Sequence, residues 1–117
     1  MQGVQIFGIR NSQATRAAER FFKERRVPIH FVDLKQKSMA PGEMKRFIEK
    51  FGWPALLDSE GKAYEDAGLN YLQVSDVDLL KRVEQEPRLL RLPFVRSGKA
   101  VCIGHDEESW RAMANAS

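Results

Sequence analysis

Residues 7–18, Phe7-Gly8-Ile9-Arg10-Asn11-Ser12-Gln13-Ala14-Thr15-Arg16-Ala17-Ala18, carry the chain from a β pattern into an α pattern across a few polar positions. The aliphatic run Val4 to Ile9 fits a short buried strand, and Ala14, Ala17, Ala18, Phe21 and Phe22 then follow at helical spacing. Arg10-Asn11-Ser12-Gln13 is the turn between them, which puts Ser12 at a helix N-terminus. Free N–H groups and the positive end of the helix dipole favour anions at such a position. Arg10 and Arg16 add positive charge beside it. The ordinary task of a serine here is to cap the helix by accepting a backbone N–H. As a nucleophile it would need a base, and the chain has two imidazoles, His30 and His105.

Working outward, Val27-Pro28-Ile29-His30-Phe31-Val32-Asp33 reads as a second strand with a proline near its start, and two strands flanking a helix imply a parallel βαβ unit. Pro41 at a first-turn position, then Met44, Phe47, Ile48 and Phe51 before Gly52, predicts a helix of about three turns closed by the glycine. Gly61 and Gly68 punctuate a looser stretch, and Ser75-Asp76-Val77-Asp78 opens another helix with a capping-box pattern that runs to Pro87. Residues 94–103 form a hairpin with a Ser97-Gly98 turn, and Glu107 to Met113, with Trp110, is a closing helix. No repeat or low-complexity tract interrupts this order.

A chain of 117 residues, 43% of them hydrophobic, is one domain over 1–117 with one substantial core. No apolar stretch approaches the length of a membrane span, and Met1-Gln2-Gly3-Val4 lacks the layout of a signal peptide, so a cytoplasmic location is expected. The single cysteine, Cys102, excludes an internal disulfide, and with two distant histidines no metal site is expected. Cys102 alternates with apolar neighbours and is expected to be a packing residue, as are Trp53 and Trp110. Net charge is +3, but unevenly spread: residues 1–50 carry eleven Lys or Arg against five acids, and residues 51–117 eight against eleven. Arg16, Arg20, Lys23, Arg25 and Arg26 crowd the first helix. They suit a solvated face or an acidic partner. Without interleaved aromatics they give no case for nucleic acid.

The order βαβ, helices, hairpin, helix is the thioredoxin-like arrangement with a helical insertion. Over nearly the whole chain the sequence resembles the arsenate-reductase-like family, which includes glutaredoxin-like arsenate reductases and Spx-type transcription regulators. The markers are Gly8-Ile9-Arg10-Asn11, Phe31-Val32-Asp33-Leu34-Lys35, Gly52-Trp53-Pro54-Ala55-Leu56-Leu57, Pro87-Arg88-Leu89-Leu90-Arg91-Leu92-Pro93, and Ile103-Gly104 leading into Glu107-Glu108-Ser109-Trp110. The resemblance implies an α/β glutaredoxin-like fold with a four-stranded mixed sheet. It further implies that the proline before the third strand, Pro93, is cis, and that the backbone of Leu92 pairs with the cysteinyl part of glutathione or a peptide.

The departures from the family pattern fall on its chemistry. Its catalytic cysteine position is Ser12, and the second cysteine that some members carry falls on Thr15. Two arginines that bind the oxyanion in arsenate reductases fall on Glu60 and Leu92. Arg91 and Arg96 lie close in sequence and are candidates to replace those two cations, with Arg91 expected to point away from the side taken by position 92. The resemblance therefore implies a ligand site at Arg10, Asn11, Ser12, Thr15, Arg16, Glu60, Leu92 and Pro93 that is stripped of its thiols. Two functions fit. One is a non-redox, Spx-like module that contacts a protein partner through the first helix, Gly52 and the basic patch. The other is a glutathione-dependent enzyme in which the Ser12 hydroxyl donates a hydrogen bond to the bound thiolate.

Overall fold

The computed structural model describes residues 3–68 and 75–116. Met1 and Gln2, where the leader reading begins, lie outside them. The elements are β1 (Val4–Gly8), α1 (Gln13–Glu24), β2 (Ile29–Asp33), α2 (Pro41–Phe51), α3 (Trp53–Leu56), α4 (Lys62–Asp66), α5 (Asp76–Gln85), a 3-10 turn (Pro87–Leu89), β3 (Phe94–Ser97), β4 (Ala100–Ile103) and α6 (Glu107–Ala116). The sheet order is β2-β1-β3-β4. β1 pairs parallel with β2, from Val4 against Ile29 to Gly8 against Asp33, while β1–β3 and β3–β4 are antiparallel. This is the thioredoxin-like mixed sheet that the sequence predicts.

Alternation along the strands divides the apolar residues between the two faces of the sheet. Val4, Ile6, Val95 and Cys102 pack with Ala18, Phe21 and Phe22 of α1 and with Trp110 and Met113 of α6. Phe7 and Phe94 pack with Met44 and Phe47 of α2, with Leu56, and with Leu79 and Val83 of α5. The first face is an aromatic stack in which Trp110 lies 5.6 Å from Phe21 and 6.4 Å from Phe22. On the second, Phe47 lies 4.7 Å from Phe94.

Local chemistry explains the element ends. Proline occupies the first turn of α2 and Gly52, at φ 79°, ends it, so that helix has the bounds read from sequence. Ser75 caps α5 by accepting from the Asp78 N–H at 3.2 Å. The second strand starts two residues later than expected because Val27 is still finishing α1: Arg26 takes φ 59° and the Val27 N–H donates to the Phe22 carbonyl at 3.0 Å. The stretch punctuated by Gly61 and Gly68 is not wholly loop, since it holds α4. The closing helix extends past Met113 to Ala116.

Candidate functional site

The turn between β1 and α1 is set by two contacts. Gly8 faces the first turn of the helix so closely that a Cβ there would lie 2.5 Å from Thr15 Oγ1 and 2.7 Å from Thr15 Cγ2. Only a residue without a side chain lets α1 begin this near the strand. Ser12, with extended backbone, then accepts from the Thr15 N–H through its hydroxyl oxygen at 3.2 Å, while its own N–H donates to the Ile9 carbonyl at 3.1 Å. Ser12 is therefore a helix cap. Its side chain is half-buried at the edge of a groove.

A second chain segment closes that groove. Leu57 and Leu90 form an isolated antiparallel bridge, the Asp58 N–H donates to the Leu89 carbonyl, and the Arg91 N–H donates to the Leu56 carbonyl, each of these two bonds at 2.8 Å. This zipper brings Asp58, Arg88, Arg91 and Leu92 against Asn11, Ser12 and Ala14 around an open cavity of about 330 Å3. The Leu92–Pro93 bond is cis, as the family resemblance implies, and Pro93 is fully buried. The Leu92 N–H donates to the Leu90 carbonyl at 2.9 Å.

Of the residues expected at the site, Asn11, Ser12 and Leu92 meet in this groove and the others lie elsewhere. Thr15 is completely buried, with its hydroxyl oxygen unpartnered beneath the turn. Arg10 stands over the Phe31 ring, its guanidinium carbon 4.6 Å from the centroid. Arg16 lines a neighbouring concavity with Gln13, Ala14, Ala17, Arg20 and His105. Glu60 is exposed in the turn before α4, and Gly52 lines neither cavity.

Two expectations about the arginines need correction. Arg91 and Leu92 line the same groove, because residues 91–93 precede the strand and strand alternation does not apply to them. Arg91 donates to the Leu57 carbonyl at 3.3 Å, and its stem packs where a Cβ on Gly104 would lie 3.3 Å from Arg91 Cγ. Arg96 takes no part in the groove. It pairs with Glu43 of α2 at 2.8 Å and also donates to Gly98 and Gln5, tying β1, β3 and α2 together. Asp58 and Arg88 line the groove as well, and no sequence signal pointed to either. Arg88 is held by Glu86 through two bonds of 2.9 Å, an interaction that keeps the Glu86 carboxyl below its usual range.

Cys102, the one thiol in the chain, is 2% exposed on the face of the sheet covered by α1 and α6. Burial pushes its pKa up to about 12, and the Asp106 carboxylate acts in the same direction. Trp53 and Trp110 are buried, and His105 is exposed with its ring 4.9 Å from that of Trp110. Among the described residues no helix is long and apolar enough to cross a membrane, and no group of three or more His, Cys, Asp or Glu is placed to hold a metal ion.

The architecture recurs in solved structures. A protein titled YFFB matches with a TM-score of 0.82 at 16% identity over 95% of this chain and 98% of its own. An arsenate reductase from Vibrio cholerae matches at 0.78 and 18% over 96% and 98% of the two chains. An arsenate reductase related protein from Brucella melitensis matches at 0.67 and 20% over 94% and 92%. No curated protein sequence matches significantly. At these identities the likeness speaks for the fold alone. Residues 7–113, from the end of β1 well into α6, match the ArsC family, and the chain belongs to that family.

Proposed function

We propose that this protein is a non-redox ArsC-family module of the cytoplasm, binding or regulatory in the manner of Spx, that acts by contact with a protein partner across the exposed face of α1. The observation that carries this reading is the division of hydroxyl and thiol between two places. The residue in the family's cysteine position is a serine whose oxygen is engaged as a cap. The chain's only thiol is sealed in the core with its thiolate disfavoured. Thiol chemistry requires a thiolate that can reach its target, and neither position offers one.

Glutathione-dependent chemistry is the second reading, and one geometric fact favours it. Ser12 and Leu92 line one groove, and the Ser12 hydroxyl hydrogen remains free to donate after its oxygen has accepted from Thr15. Against it, the Leu92 N–H is already donated to Leu90. Pairing with a glutathione backbone has to open that bond first.

The test is reduction of arsenate and of a small disulfide with glutathione and glutaredoxin supplied. The non-redox reading expects no turnover above the blank without protein. Turnover that survives Cys102→Ala overturns it. Amide shifts during a glutathione titration separate the two readings, because perturbation centred on Ser12 and Leu92 favours the second.

A further inference from the structure

We propose that the concave track along the first two turns of α1 docks an acidic peptide segment of a partner protein. The proposal rests on the binding-module reading above and names the chemistry of the partner.

The two cavities flanking the start of α1 adjoin at Ala14. Ala14 lines both, and Arg91, from the wall of the Ser12 groove, packs its stem on Gly104, the neighbour of His105 in the second cavity. The floor is made of the small residues Ala14 and Ala17, so a peptide backbone can lie close to the helix. Three exposed cations follow the track: Arg91 at one end, then Arg16 and Arg20 one turn apart. The first-turn N–H groups of α1 add partial positive charge between them. Arg88 contributes less because Glu86 already satisfies it. Asp58 is the acid in the lining of the two cavities among the described residues, and beside them stand Glu86, bonded to Arg88, and Glu107, whose carboxylate lies 3.6 Å from His105.

The same surface suits a peptide better than other anions. Single-stranded nucleic acid needs aromatic platforms for its bases, and the only exposed large hydrophobic among the described residues is Val77 on α5. A lipid surface needs apolar side chains beside the cations, and the track has alanines. Carboxylates spaced along an extended chain meet guanidinium groups spaced along a helix without either requirement.

The experiment is fluorescence anisotropy of a short dye-labelled peptide of alternating glutamate and serine, with the intact protein at low and high salt. The proposal expects saturable binding that weakens with salt, as for exposed charges in general. Arg16→Glu with Arg20→Glu lowers the affinity by more than about tenfold, whereas Lys62→Glu with Lys99→Glu, which reverses the same charge away from the track, changes it by less than about twofold. Circular dichroism confirms that the variants are folded. Equal loss in both pairs, absence of saturable binding, or tighter binding of oligothymidine or anionic vesicles overturns the proposal. If the peptide fails to bind and redox turnover is also absent, this inference falls while the non-redox reading stands. Turnover that survives Cys102→Ala brings down the reading itself.

Discussion

Two positions in this chain invite comparison as sites for a nucleophile. Ser12 lies at the N-terminus of a helix, a kind of position that in general favours a thiolate, at the edge of an open groove that Arg91 also lines. It carries a hydroxyl. Cys102 carries the thiol, but on the edge strand β4 beneath α1 and α6, where burial pushes its pKa up to about 12. The helix N-terminus and the thiol stand apart: the first is at residue 12 and the second at residue 102. A family match read as an activity would miss this, because the match reports the scaffold.

The comparison breaks first if the face around Cys102 is not the rigid core described. Phe22 is fully buried and stacks with Phe21 and Trp110 over that face. Phe22→Ala is expected to cost about 3–5 kcal/mol, read from denaturant midpoints. A cost near 1 would mean a loosely packed face and a thiol less sealed than its exposure indicates.

The alkaline limb of stability sharpens the same side. The folded Cys102 pKa, about 12, is raised above the unfolded value, so its contribution to stability is complete below the unfolded pKa near 9 and is lost as pH rises toward 12. Relative to Cys102→Ala, the native protein should lose up to about 1.4 kcal/mol more per pH unit in that window. Parallel alkaline curves for the two proteins contradict the burial of the thiol.

On the other side of the comparison, the start of α1 depends on Gly8. Gly8→Ala forces a methyl group onto Thr15 and is expected to cost about 1–3 kcal/mol. Thr15→Ala removes the atoms that clash, along with a buried hydroxyl that has no partner, and should recover most of that loss. Full additivity of the two changes contradicts the contact. Ser12→Ala is the smallest of the set, at about 1 kcal/mol for the lost cap. If it proves worse than Phe22→Ala, Ser12 anchors something beyond the first turn of the helix.

Legibility in the sequence followed the range of the interactions. The capped start of α1, the proline and glycine that bound α2, and the alternation that buries Cys102 are local signals, and each predicted its element. The start of β2 was misplaced because Val27 donates back to Phe22 across the end of α1, a competition that residue propensity does not register. Half of the groove was invisible for a similar reason. Asp58 and Arg91 reach it through the pairing of Leu57 with Leu90, more than thirty residues apart, and no local pattern announces that bridge. Arg96, adjacent in sequence to the expected site, is directed to Glu43 by its place in β3.

The account turns on the claim that the environment at residue 12 still suits a thiolate and that the thiol alone is missing. The most direct measurement is the pH titration of thiolate absorbance in Ser12→Cys carried in a Cys102→Ala background, together with its rate of reaction with a small disulfide. The helix N-terminus and Arg91 in the same groove predict a pKa well below the ordinary value of about 8.5 and a thiol that reacts near neutral pH. A pKa at or above 8.5 contradicts the claim and means that the anion-stabilising geometry was lost along with the cysteine.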